Sequence, residues 1–235
     1  MTAPETTPTR SPIKVAPSGK VIAENVSYED FLHGFDAQHV EWVNGKVIEM
    51  PAVYIRHGDI TSFLISLFRV YFSMVPENYE KGRILHEPVV MRPRPDLPGR
   101  SPDVMVVMDS NSGIIKDLQI AGPADLVVEV VSESSERRDY MEKLLEYEAG
   151  GVREYWIVDP IIAATSFWQR GTDGEYQRAR LDDNNSYHSA VLQGFKLDAD
   201  IFWRADLPRI NVVQLVQEML RNNQDNDANQ EAQDA

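Results

Sequence analysis

Apolar positions change their spacing several times along the chain, and each change marks an element. Val26–Phe35 reads as a short helix, with Ser27 placed to cap it and Glu29 and Asp30 in its first turn. In Val40–Met50, apolar residues flank Asn44-Gly45, a dipeptide suited to a tight type I′ turn, so this stretch predicts a hairpin. Asp59–Phe72 carries Ile60, Phe63, Leu64, Leu67, Phe68 and Tyr71 at helical spacing and predicts a core helix. Pro88–Arg92 reads as a short strand and is followed by a proline-rich loop. Asp103–Met108 and Ala124–Ser132 are dense in β-branched residues and predict central strands. Glu136–Gly150 predicts a helix closed by Gly150-Gly151, and Arg153–Val158 a further strand. Short strands and turns follow from Thr165 to Phe202. A final helix, Pro208–Leu220, offers Ile210, Val213, Leu215, Val216 and Leu220 as contacts. It either packs internally or forms a homodimer surface.

Strands separated by helices imply an α/β fold, a mixed sheet covered by helices. The N-terminal hairpin and the C-terminal β-hairpins are additions to it. One domain is expected over about 21–220, between a flexible head, 1–20, and a disordered polar tail, 221–235. The head has no continuous apolar stretch and is not expected to be a signal peptide. No segment is long and apolar enough to span a bilayer.

The absence of cysteine removes disulfides, thiolate metal sites and cysteine nucleophiles, and suits a cytoplasmic protein. Net charge is −14. The head contributes +2 (Glu5 against Arg10, Lys14 and Lys20) and 221–235 contributes −3 (Arg221 against Asp225, Asp227, Glu231 and Asp234), which leaves −13 in the middle. A polyanionic partner must therefore meet a local basic patch, a metal ion, or both.

The sharpest anomaly is Glu129, inside the run Leu126-Val127-Val128-Glu129-Val130-Val131. A carboxylate in a buried strand is costly unless it is paired or metal-bound. Alternation puts Asp125, Val127, Glu129 and Val131 on one face. Asp103, after Pro102, opens the preceding apolar strand, so two carboxylates on adjacent strands can converge on one cation. Oxygen-only ligands suit Mg²⁺ or Mn²⁺. Lys143 falls at the border of the apolar face formed by Tyr140, Met141, Leu144, Leu145 and Tyr147, with Asp139 one turn earlier.

Plainer readings stay open. Glu129 can be a structural carboxylate paired with Lys143 or an arginine. Asp103 can accept backbone hydrogen bonds at a strand start. Asp139 and Lys143 can be an ordinary exposed pair, His57 a cap or core histidine, and Tyr155 and Trp156 packing residues.

Pro102-Asp103, then Glu129 in a strand, then a lysine-bearing helix, resembles the PD-(D/E)XK nuclease superfamily. PADLVVEVVSESSERRDYMEKLLEYEAGGVREYWIVDP, Pro123 to Pro160, resembles the Uma-type restriction endonuclease family, which is frequent in bacteria. The hairpin EWVNGKVIEM and the helix start at His57 are similar to that family's N-terminal part. The resemblance implies a restriction-endonuclease-like sheet of about four strands flanked by helices. It implies a Mg²⁺- or Mn²⁺-dependent endonuclease hydrolysing phosphodiester bonds of DNA, with Asp103, Glu129 and the Val130 carbonyl on the metal and Lys143 positioning water or stabilising charge on the phosphate. Glu41, His57 and Asp139 are accessory candidates. The superfamily lysine two positions after the acid is Val131 here, and Lys143 takes its role. Arg92, Arg94, Arg100, Arg137 and Arg138 are candidates for contacts to the DNA backbone. Two other readings compete: a catalytically inactive nuclease fold kept for binding or dimerisation, and a carboxylate-based hydrolase of a small substrate.

Overall fold

The computed structural model describes residues 20–35, 40–50, 54–132 and 135–221. The flexible head and polar tail read from composition fall outside these residues, apart from Lys20 and Arg221. Lys20 opens a strand, β1 (Lys20–Glu24), that the sequence pattern did not reveal.

Helix α1 (Tyr28–Gly34) begins as its cap requires: the Ser27 hydroxyl accepts from the Asp30 N–H at 3.0 Å. Strands β2 (Val40–Val43) and β3 (Lys46–Glu49) form the expected hairpin. Asn44 and Gly45 both take positive φ, 49° and 82°, as a type I′ turn demands. With β1 they make a three-stranded sheet in the order β1-β3-β2. The core helix α2 runs over Ile55–Met74, longer than its apolar repeat suggests.

The main sheet has six strands rather than about four. They are β4 (Gly82–His86), β6 (Val104–Met108), β8 (Leu126–Val130), β9 (Glu154–Asp159), β10 (Ala164–Arg170) and β11 (Tyr176–Arg178), arranged β11-β10-β9-β8-β6-β4. Only β8 and β9 are parallel; the other neighbours are antiparallel. The two Val-rich runs are central, as predicted. The strand expected at Pro88–Arg92 is reduced to β5 (Val90–Met91), which pairs with β7 (Gln119–Ile120) in a small separate sheet. Two short strands, β12 (Ser186–His188) and β13 (Lys196–Asp198), complete the C-terminal hairpins.

Side-chain parity divides the core. Val104, Val106, Leu126, Val128 and Trp156 pack with α2 on one face of the sheet. Met105, Val107, Val127, Val131, Tyr155 and Ile157 pack with Tyr147 on the other. Tyr155 and Trp156 are thus packing residues. The C-terminal helix, over 212–221, buries Val216 and Met219 against the α2 face and leaves Val213 exposed, so Met219 replaces Val213 as an anchor. No helix among the described residues is long and apolar enough to cross a membrane.

Candidate active site

Glu129 has the parity of Val127 and Val131, so it faces the helix that follows β8. That helix departs from its wheel. Its second turn, Arg138–Glu142, is π-helical, and the Lys143 N–H reaches back five residues to the Arg138 carbonyl. The widened turn shifts the helical phase. Met141 and Leu145, expected on the apolar face, are exposed, while Arg138, Asp139, Glu142, Lys143 and Glu146 are buried. Lys143 therefore lies inside the protein rather than at the border of an apolar stripe. It begins α3 (Lys143–Gly150), which ends at Gly151 in the left-handed conformation.

The Lys143 ammonium sits 2.8 Å from Glu129 Oε2, 3.1 Å from Asp139 Oδ1 and 3.6 Å from Glu41 Oε1. The other Glu129 oxygen accepts from the Tyr147 hydroxyl at 2.7 Å. Asp139 and Lys143 are thus a buried pair rather than an exposed one. Glu41 comes from β2, so the N-terminal hairpin supplies part of this centre. Asp103, just before β6, accepts from the Val130 N–H at 2.7 Å through Oδ2, and its Oδ1 is 3.2 Å from His57 Nε2. Behind Lys143 lies Arg100. It is bidentate to Glu146 (2.8 and 2.7 Å), bonds Glu41 at 2.8 Å and is 3.6 Å from Glu142.

Asp103, Glu129, Lys143, Asp139 and His57 line one small cavity of about 30 Å³, together with Glu87 and Arg138. That is room enough for a water molecule. Asp103, Glu129 and Asp139 line the cavity, and Glu41, Glu142 and Glu146 gather behind them on Arg100, so six buried carboxylates share the cations Arg100, Arg138 and Lys143. These surroundings shift the proton affinities of the cluster. Burial first, then Asp103 and Asp139, push Glu129 up to about 8 against the pull of Lys143. Burial and Asp103 push Glu87 up to about 7. Burial would raise Glu41, but Lys143, Arg100 and Arg138 outweigh it and hold Glu41 down at about 2. Burial would strip the proton from Lys143, yet Asp139, Glu129 and Glu41 keep it charged. His57 is likewise raised, because Asp103 overcomes the effect of burial.

The structure thus brings every candidate side chain named from the sequence, Asp103, Glu129, Lys143, Glu41, His57 and Asp139, into one connected cluster. Sequence reasoning missed Tyr147, Glu87, Glu142 and Glu146. The only available signal was the pair of i,i+4 rows, 138–142–146 and 139–143–147, on one helix face. The loop arginines offered for backbone contacts are committed elsewhere. Arg92 stacks on Tyr28 and Trp42 (4.2 and 4.8 Å to the ring centroids), Arg94 pairs with Asp96, and Arg100 is buried. Of the five, Arg138 lines the cavity and Arg137 is exposed beside it.

The fold and cluster define an α/β protein with a mixed sheet that carries carboxylates at the ends of two adjacent central strands and a lysine on the following helix. The sequence model of the Uma2 family, described as "Putative restriction endonuclease", matches residues 28–200, and the chain belongs to that family. No curated protein matches it. Among solved structures it is similar to one described as a "putative nuclease belonging to DUF820" from Anabaena variabilis ATCC 29413. The two share 18% identity at a TM-score of 0.53, over 70% of this chain and 89% of that one, a likeness of fold.

Proposed function

We propose that the chain is a metal-dependent endonuclease that hydrolyses phosphodiester bonds of DNA. The observation that carries this reading is the set of buried carboxylates, Asp103, Glu129 and Asp139, that line one small cavity at the ends of β6 and β8 beside Lys143. A divalent cation at Asp103 and Glu129 would displace the proton that burial holds on Glu129 and neutralise both carboxylates. Among the described residues no three His, Asp or Glu side chains form a ready-made coordinating group. The donor set still fits Mg²⁺ or Mn²⁺, which take one or two carboxylates and complete their shell with waters and substrate phosphate. The Val130 carbonyl is the expected third protein ligand.

Bound there, the metal would supply an acidified water and charge neutralisation at the phosphate. Lys143, held protonated by its three carboxylate neighbours, would present a fixed positive charge to the phosphate oxygens or orient the attacking water. Tyr147 and Asp139 fix Glu129 and Lys143 in register. Arg100 holds Glu41 against Lys143. Val131 fills the α3-side core, which leaves the lysine role to Lys143.

The test is nicking of supercoiled plasmid by the full chain with Mg²⁺ or Mn²⁺, against the same reaction with chelator and with Glu129→Gln. Metal-dependent nicking by the wild type and its loss in the variant are expected. Equal nicking by both, or nicking that survives chelator, would defeat the assignment. A competing reading, a nuclease fold kept for binding alone, has one observation in its favour: the loop arginines are internally committed. Wild type that retains DNA without any metal-dependent turnover would select it.

A further inference from the structure

Beside the N-terminal hairpin lies a second, larger cavity of about 630 Å³. Sites for small molecules are typically about 300–1,000 Å³. Its walls come from α1, β2, the sheet's edge strand β4 and the segments 88–90 and 115–120. They are mainly apolar, with Phe31, Leu32, Val40, Leu85, Val90 and Ile120 among them. Two hydrophobic clusters meet here without merging. Phe31, Leu32, Val40 and Val90 belong to the cluster of the N-terminal unit. Ile120, with Leu85 packed against it, belongs to the cluster that holds Tyr147. β2 separates this cavity from the candidate active site. Val40 lines the cavity, while Glu41, next along the strand and on its opposite face, is 3.6 Å from Lys143.

Protein interiors pack to the density of organic crystals and hold few voids larger than a water molecule. An apolar cleft of this size is therefore no ordinary packing gap, and exposed apolar surface rimmed by polar groups marks a binding site. The cleft is open: Leu118, in its wall, is 49% exposed.

The polar groups at the cleft narrow the choice of ligand. Arg83 stands on the same face of β4 as Leu85 and is exposed. Lys116 and Asp117 are exposed in the 115–120 segment, and Lys116 Nζ donates to the Gly113 carbonyl at 2.6 Å. Among the described residues neither Arg83 nor Lys116 pairs with a carboxylate. Two cations against the one carboxylate of Asp117 give the cleft a surplus of one positive charge, in a protein whose net charge is −14. One negative group on the ligand matches that surplus, whereas a polyanion would meet the acidic remainder of the surface.

We propose that this cleft binds a small free aliphatic carboxylate, its chain against the walls between α1 and β4 and its head group held by Arg83 and Lys116. The site stands independently of the nuclease reading. The test is calorimetric titration of the full chain with decanoate, decanol and decyltrimethylammonium in turn, each below its micelle-forming concentration.

Wild type is expected to bind decanoate about tenfold or more tightly than decanol, and decyltrimethylammonium most weakly. Arg83→Glu should weaken decanoate by about tenfold or more and leave decanol within about twofold. Leu118→Asp should weaken both. Both positions are exposed, so urea unfolding of the two variants should match wild type. No binding of any of the three by wild type overturns the site. Equal binding of all three, unchanged in Arg83→Glu, overturns the carboxylate as its ligand. Wild type that binds none of them but self-associates in sedimentation, with the association lost in Leu118→Asp, assigns the cleft to a second copy of the chain and overturns the proposal.

Discussion

Replacing Lys143 with methionine removes the one ammonium that touches Glu129, Asp139 and Glu41, at 2.8, 3.1 and 3.6 Å. Methionine keeps the length of the stem, so little packing is lost. Removing one partner of a buried ion pair costs about 3–5 kcal/mol. The full cost appears only while the carboxylates stay ionised. Each can instead take up a proton, at about 1.4 kcal/mol per unit between its folded pKa and the ambient pH. Glu129 already stands near 8, well above its ordinary 4.5, and will rise further without Lys143.

The sign follows from proton counting. Between the ordinary carboxylate value and the raised one, the folded state binds more protons than the unfolded chain, so stability falls as pH rises. Lys143→Met should therefore cost stability already at pH 5, where Glu41 and Asp139 lose their cation, and about 3–5 kcal/mol at pH 9, where Glu129 is ionised as well. Urea unfolding at pH 5, 7 and 9 measures the difference. Millimolar Mn²⁺ should narrow the gap at pH 9, by about 2.7 kcal/mol if it reaches a hundred times its dissociation constant. A difference below about 1 kcal/mol that does not vary with pH would show that Lys143 is not the counter-charge of these carboxylates.

Substitutions at three other positions probe the same cluster. Arg100→Met strands Glu41, Glu142 and Glu146 and should cost about 3–5 kcal/mol in urea unfolding at pH 7; Arg100→Lys, which lacks the bidentate fork, should recover only part of it. Tyr147→Phe deletes the 2.7 Å bond to Glu129 and should cost about 1.5–3 kcal/mol in the same assay, with a smaller loss arguing that Tyr147 does not fix the carboxylate. His57 has a raised folded pKa, so its interaction with Asp103 contributes fully below its ordinary 6.5 and fades as pH rises through the folded value. His57→Gln should therefore destabilise the protein more at pH 5 than at pH 9; the reverse order would contradict the assigned pair.

Much of this was legible in the sequence. Glu129 stood out because five apolar neighbours left a carboxylate nowhere to be solvated. Asn44-Gly45 named its own turn, and the two Val-rich runs could only be central strands. Other features leave no such trace. β4 is short and carries a single charged residue among mixed neighbours, so nothing in GRILH marks it as the edge of the main sheet. The charged face of the helix before α3 reads as a solvated surface, because charges at helical spacing usually are. Only the π-helical turn and Arg100, arriving from a distant loop, turn that face inward. Arg92 and Arg94 looked like phosphate ligands because a sequence does not show a tyrosine, a tryptophan and an aspartate already waiting for them.

The most direct test of the central claim is calorimetric titration of Mn²⁺ at pH 7 into wild type, Asp103→Asn and Glu129→Gln, in two buffers of different ionisation enthalpy. A cation that enters beside Glu129, whose carboxyl is raised to about 8, must displace its proton. The account predicts weak binding to wild type with release of about one proton, tightened by DNA and lost in both variants. Binding that persists unchanged in Asp103→Asn and Glu129→Gln, or no binding to wild type even with DNA present, would contradict it.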